Sequence, residues 1–272
     1  MRVAVMQTSP EFGAKEKNLA AIEAMFESAC LDGATGSCHV DLWVLPELCT
    51  TGYQFRTRGE LASLSEANDG ATVRRFSNLA KRLETAIVFG MAESAGHDLF
   101  NSAILVSQDG LVGVYRKVHL FDRETELFDP GRGGFDVFEV HSVRVGVMVC
   151  FDWLFPESAR TLALKGAQVI AHPANLVLPY CQAAMVTRAI ENHVFTVTAN
   201  RVGREARVDG EVLDFTGASR IVSPDGRILR DGPIGETSVM WEDIDPDEAD
   251  HKTITRRNDV LADRRPDSYW CK

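Results

Sequence analysis

Apolar residues come in short runs along this chain, and between the runs they recur every three to four positions, the alternation from which α/β proteins are built. The first run, Val-Ala-Val-Met inside Arg2–Gln7, predicts a strand. From Lys15 to Ala29 the positions Leu19, Ile22 and Phe26 keep a period near that of a helix. Leu42–Leu45 is short and wholly apolar, as a strand covered on both faces should be. Thr72–Leu83 sets Val73, Phe76, Leu79, Ala80 and Leu83 on one helical face, with Arg and Lys opposite. Strands are predicted at Ala86–Gly90, Asn101–Val106 and Leu111–Arg116, the last two joined by Ser107-Gln-Asp109-Gly110, a hairpin signal. The same local design recurs around Asp225-Gly226. Pro156–Lys165 and Tyr180–His193 read as helices, Thr196–Asn200 and Ser238–Trp241 as late strands. The pattern alone supports an α/β chain with a mixed sheet. Nothing rich in Pro or Ser divides its 272 residues, so one domain over 1–272 is expected.

Three of the apolar runs stop on residues that carry chemistry. Val145-Gly-Val-Met-Val ends on Cys150 and the chain then opens a helix at Pro156, which presents a thiol at a strand's carboxyl end beside free backbone N–H groups. Asp41-Leu-Trp-Val-Leu-Pro46 is followed at once by Glu47, and Val114-Tyr-Arg runs into Lys117. Each has a plainer account when taken singly: an inert buried cysteine, a solvated loop acid, an edge-strand lysine that discourages aggregation. Together they match a chemical need. A free thiol titrates near ~8.5, so a nucleophile at neutral pH requires a base or a positive field close by.

Pro46-Glu47-Leu48, Tyr115-Arg-Lys117-Val-His119-Leu-Phe121 and Cys150-Phe-Asp-Trp-Leu-Phe-Pro-Glu157 resemble, in order, the three signature blocks of the carbon-nitrogen hydrolase, or nitrilase, superfamily. The resemblance runs over nearly the whole chain. It implies a four-layer α-β-β-α sandwich and a catalytic set of Glu47, Lys117 and Cys150. In that scheme Glu47 takes the proton of Cys150, passes it to departing ammonia or amine, and then activates water against the thioester. Lys117, helped by the backbone N–H of Phe151, offsets the negative oxygen of the tetrahedral intermediate, and on this account it matters more for rate than for folding. The family's second glutamate falls within Phe121-Asp-Arg-Glu124-Thr-Glu126-Leu-Phe-Asp-Pro130-Gly131. Spacing to Pro130 favours Glu124, with Glu126 the alternative. Tyr53, just past the Glu47 segment, and Asn175, at the end of the run Val169-Ile-Ala-His-Pro-Ala, are expected to contact substrate. His119 and His172 are read as supporting residues, because the resemblance already supplies a base.

Charge and cysteine usage narrow the setting without naming a substrate. A net charge of −10 and a pI near 5.2 argue against a nucleic-acid or acidic-membrane partner. The cysteines at 30, 38, 49, 150, 181 and 271 show no CxxC spacing, and no secretory leader is legible before Arg2. Reduced thiols in a cytoplasmic enzyme are therefore expected. No metal-binding interval or phosphate loop is present, so no cofactor is expected. In the family the helices after the nucleophile and after the His-Pro-Ala-Asn block pair with a second subunit, which here implies at least a homodimer through Pro156–Lys165 and Tyr180–His193. The polar tail 253–272, ending in Tyr269-Trp270, is expected to dock on a partner subunit.

The bond that is cut is the hardest inference. Cys150-Phe-Asp-Trp sits closer to amidase and carbamoyl-amide branches than to the Cys-Trp-Glu of many nitrilases, which points to a small linear, non-peptide amide. The stretch from Cys150 to Ala167 also resembles chains assigned as small aliphatic nitrilases, so a nitrile is the alternative, with N-carbamoyl amides beside it. Acyl transfer through the same thioester and a non-catalytic interaction role stand further off. Arg201, Arg204 and Arg207 are candidates to grip a substrate carboxylate, against the plainer account of solvated loop arginines.

Overall fold

The central strands are buried at nearly every position, so both of their faces are covered and alternate residues pack to opposite sides. The computed structural model describes residues 1–31 and 39–269; Cys38, Trp270, Cys271 and the side chain of Cys30 lie outside the described residues. In chain order the first five strands are β1 (Arg2–Gln7), β2 (Leu42–Val44), β3 (Ala86–Ala95), β4 (Asp98–Ser107) and β5 (Gly110–Arg116). Then follow β6 (Val137–Val140), β7 (Val143–Val147), β8 (Val169–Pro173), β9 (Phe195–Ala199), β10 (Val202–Val208), β11 (Glu211–Thr216), β12 (Arg220–Val222), β13 (Ile228–Asp231) and β14 (Ser238–Asp243). The helices are α1 (Lys15–Leu31), α2 (Arg58–Leu64), α3 (Ala71–Leu83), α4 (Glu124–Leu127), α5 (Pro156–Leu164) and α6 (Cys181–Asn192).

Two six-stranded sheets result, ordered β14-β1-β2-β3-β4-β5 and β13-β12-β9-β8-β7-β6. Each has three parallel strands at its centre, β1-β2-β3 or β7-β8-β9, with antiparallel strands on both flanks. The two Asp-Gly hairpins, β4–β5 and β12–β13, occupy equivalent flanks of the two sheets, so their recurrence in the sequence marks an architectural repeat.

Val3, Val5, Leu42, Val44, Ala86 and Val88 face inward and pack with Val145, Val147, Val169 and Val197 of the second sheet. The alternate residues Ala4, Met6, Trp43, Ile87 and Phe89 face outward and take the apolar stripes of α1 and α3, including Phe26 and Phe76. Phe76 stacks on Phe89 with ring centroids 4.0 Å apart. Burial of each such side chain contributes about 1.5–3 kcal/mol. Helices α5 and α6 cover the outside of the second sheet through Ala159, Leu162 and Met185, completing four layers. No described helix is long and apolar enough to cross a membrane. The tail is tied to the end of α6 by Lys252, whose ammonium donates to the carbonyls of Asn192 and His193 at 3.0 and 2.7 Å.

Candidate active site

Both sheets deliver residues to one place from the carboxyl ends of their strands, β2 and β5 on the first and β7 and β8 on the second. On the first sheet, the chain continues past β2 hydrogen-bonded to β3, with Leu45 N–H donating to Val88 and Gly90 N–H to Pro46. A side chain at Gly90 would place its Cβ 2.4 Å from the Cα of Glu47, so only glycine lets this backbone come so close. Glu47 is fully buried as a result. Its Oε1 accepts from Asn101 Nδ2 at 2.6 Å and from Lys117 Nζ at 2.7 Å, while Oε2 has no partner.

Lys117 follows β5, the edge strand of its sheet, yet is 1 % exposed. Its burial comes from the Pro130-Gly131 segment, which folds back so that Gly131 N–H donates to the Lys117 carbonyl at 2.8 Å. Here too a methyl is excluded, because it would stand 2.0 Å from the Arg116 carbonyl oxygen. The Lys117 ammonium lies 2.8 Å from both oxygens of Glu124. Glu124 opens α4 and also accepts from the Tyr53 hydroxyl at 2.7 Å and from Phe121 N–H at 3.1 Å. Glu126, the alternative acid, is exposed to solvent. Burial by itself would lower the Lys117 pKa, but the Glu124 and Glu47 carboxylates hold it well above the usual lysine range. Burial also pushes Glu124 up, against the pull of Lys117, and the negative charge of Glu47 adds to the rise.

The second sheet contributes an elbow. After β7, Cys150 adopts φ 41°, a left-handed conformation that costs a non-glycine residue of order 1–3 kcal/mol. Residues Cys150–Leu154 form a 3-10 turn that leads into α5, with Pro156 opening the helix. Two buried side chains hold the elbow. Asp152 accepts from Val149 N–H at 2.9 Å, from the Tyr115 hydroxyl at 2.6 Å, and from His119, whose Nδ1 lies 2.8 Å away. His172 spans from Thr198 to the Cys150 carbonyl, with Nε2 at 3.0 Å from that oxygen and Nδ1 at 3.1 Å from Thr198 Oγ1. Burial pushes its pKa down to about 4. It is therefore neutral at pH 7, with Nε2–H donating to the carbonyl and Nδ1 accepting from the threonine. His172 thus touches the backbone of Cys150.

The Cys150 thiol is pushed well up by burial and by Glu47, with Lys117 opposing and the Asn175 backbone N–H also favouring the thiolate. At rest it carries its proton. It opens onto a narrow, solvent-open pocket lined by Phe121, Phe151, Trp153, Asn175, Leu176, Val177 and Leu178. Phe121 also lines a neighbouring cavity, together with Tyr53 and Glu124. Of the residues expected to contact substrate, Phe151 and Asn175 line the thiol's cavity and Tyr53 lines the neighbouring one, its hydroxyl on Glu124. Among the described residues no three of His, Cys, Asp or Glu are grouped to hold a metal ion.

The arginines considered as a carboxylate grip are otherwise engaged. Arg201 is 1 % exposed, donates to Glu205 at 2.5 Å, and stacks its guanidinium 3.9 Å over the Phe215 ring. Arg204 lies 3.7 Å from Asp214, and Arg207 pairs with Glu60 at 2.6 Å. Glu205 in turn accepts from the backbone N–H groups of Tyr53 and Gln54, at 3.2 and 2.6 Å, and so sets the segment that carries the Tyr53 hydroxyl to Glu124. Sequence reasoning missed Asn101, Asp152 and Glu205. Asn101 and Asp152 left a trace, a polar residue beside or within a strongly apolar run; the hold of Glu205 on Tyr53 and Gln54 left none, because those residues are about 150 positions away.

Comparison with known proteins places this geometry in context. The profile of the family described as "Carbon-nitrogen hydrolase" matches residues 2–251. A Pyrococcus abyssi protein named "Nitrilase" is 45% identical over 271 residues, covering 99% of both chains. A Pseudomonas sp. protein named "(R)-stereoselective amidase" is 36% identical over 85% of this chain and 82% of its own. Among solved structures, a carbon-nitrogen hydrolase from Helicobacter pylori G27 superposes with a TM-score of 0.86 at 25% identity, covering 99% of this chain and 96% of that one.

Proposed function

The chain belongs to the carbon-nitrogen hydrolase family, and from that premise we propose that it cleaves a small linear, non-peptide amide with Cys150 as nucleophile. Glu47 is the general base. Its unpaired Oε2 receives the thiol proton as the sulfur adds to the carbonyl carbon. The oxygen that becomes negative is held by Lys117 Nζ and the backbone N–H of Phe151. Collapse of the tetrahedral intermediate breaks the C–N bond, and the proton on Glu47 leaves with the nitrogen as ammonia or amine. Water then gives a proton to Glu47 and its hydroxyl to the thioester carbon. The C–S bond breaks, a carboxylic acid departs, and the sulfur recovers its proton. Glu124 stays in place throughout and orients Lys117 by charge-assisted hydrogen bonds.

One observation carries this reading: the buried Cys150 thiol lies within the field of Glu47, which holds it protonated, and Glu47 keeps one buried carboxylate oxygen with no hydrogen-bond partner. An inert structural cysteine has no use for an ion-paired acid beside it. The test is ammonia release from short amides by wild-type protein, with mass spectrometry of a trapped acyl adduct on Cys150. A labelled adduct on any other residue, or undiminished release by Cys150→Ala, rejects the mechanism.

A nitrile is the second reading, favoured by the 45% identity to the Pyrococcus abyssi protein. The same sulfur would add to the nitrile carbon to give a thioimidate, and two waters in all would yield acid and ammonia. Side-by-side rates on an amide and its nitrile counterpart separate the readings. Exposed Leu154, Leu164, Tyr180 and Ile190, on and around α5 and α6, support a homodimer built on this face, which light scattering after size exclusion would test. The thiols of Cys49, Cys150 and Cys181 are free, which fits a reducing, cytoplasmic setting.

A further inference from the structure

Asn175 lines the Cys150 cavity and carries a buried, unsatisfied side-chain amide. Its backbone is pinned on both sides, by Ala174 N–H donating to Ala199 and by Leu176 N–H donating to the Asn200 side chain, each at 2.8 Å. The residue is 3 % exposed, yet neither Oδ1 nor Nδ2 has a hydrogen-bond partner. Asn200 next door shows how such an amide is ordinarily treated: its Oδ1 accepts from Leu176 N–H and its Nδ2 donates to Thr216 and Gly217. A buried amide left with both ends open is costly, and it is tolerated where a ligand completes it. The other walls are aromatic or aliphatic, and among the described lining residues none is charged.

We infer that Asn175 reads a second, uncharged group on the substrate, one that both donates and accepts hydrogen bonds along a single edge, as a carboxamide or ureido group does. The inference rests on the hydrolytic reading above. There the oxygen of the reacting amide goes to Lys117 and Phe151 N–H and its nitrogen to Glu47, so the group under attack has no edge left for Asn175. A further carboxamide a carbon or two away would pair with it through two hydrogen bonds, Oδ1 taking an N–H and Nδ2 giving one. An alkyl chain in its place leaves both atoms orphaned. A cationic or anionic group would lose its hydration among Phe and Leu side chains with no counter-charge.

Calorimetric binding to the Cys150→Ala protein tests this without turnover, using malonamide, butanamide, 3-aminopropanamide and malonamate. Malonamide is expected to bind at least ~10-fold tighter than the other three, and Asn175→Leu to abolish that preference. In the wild-type enzyme the matching ratio of kcat/KM for malonamide over butanamide is expected to reach ~10² or more. Equal binding of malonamide and butanamide, or an unchanged ratio in Asn175→Leu, overturns the inference. Should that variant fail to fold, Asn175→Asp carries the test: its preference is expected to move to the cationic 3-aminopropanamide, and an unmoved preference overturns the inference equally. Selective binding with no ammonia from any compound removes the hydrolytic reading and leaves the role of Asn175 standing. Ammonia release without selectivity does the reverse.

Discussion

The two halves of the candidate site handle their polar groups in opposite ways. On the first sheet, Glu47, Lys117, Glu124, Asn101 and Tyr53 form a buried network in which the ammonium is held by two carboxylates. On the second sheet, the side chains that face the cavity are left open: a protonated thiol on a strained residue and an Asn175 amide with no partners. The difference follows from what each half must hold. Charges cannot sit in a dry interior unless they are paired, so the Lys117 ammonium is held by both carboxylates before any ligand arrives, and only Glu47 Oε2 and Asn101 Oδ1 stay open in that half. Neutral groups can wait unpaired at a smaller cost, and the ligand is what completes them. The elbow's own supports, Asp152 and His172, are satisfied through backbone groups and lie beneath the reacting atoms.

Breaking the open half should abolish function and spare the fold. Cys150→Ala is expected to reduce ammonia release to background while thermal unfolding stays within a few degrees of wild type. Breaking the paired half should damage both. Lys117→Ala is expected to slow turnover by ~10²–10³ and, because it strands two buried carboxylates, to cost about 3–5 kcal/mol of stability in urea unfolding. The burial of Lys117 between Glu47 and Glu124 thus revises the expectation that it matters chiefly for rate. A smaller loss, about 10-fold in kcat with little change in KM, is expected for Glu205→Gln, which weakens the seat of Tyr53 without touching the cavity. Unchanged kcat in that variant would detach Glu205 from the network.

The smallest effect at neutral pH belongs to His172. Its folded pKa of about 4 lies below its ordinary 6.5, so the unfolded chain binds the proton more readily. The contribution of neutral His172 is complete above pH 6.5 and is lost as pH falls toward about 4, to a total of about 3 kcal/mol. His172→Asn should flatten that part of the stability profile, read by urea midpoints across the same interval. An unaltered slope would assign the acid sensitivity elsewhere.

Much of this arrangement is legible in one dimension. The alternation of apolar runs and helical stripes marks the central strands, the two Asp-Gly hairpins mark equivalent flanks, and the three run-ending residues Glu47, Lys117 and Cys150 sit where strands leave the core. Periodicity can do this because it records which face of an element is covered. It does not record by what. That Glu124 is buried on Lys117 while Glu126, two residues on, faces water depends on the left-handed turn at Asp122 and on α4. That Arg201 is locked under Phe215 with Glu205 depends on the pairing of β10 with β11, and that Asn175 is left unpaired beside the thiol while Asn200 is saturated depends on how the segments after β8 and β9 meet. Such pairings carry no local signature, since the free energy of a buried polar group is set by its neighbours in space, and only the folded chain decides who they are.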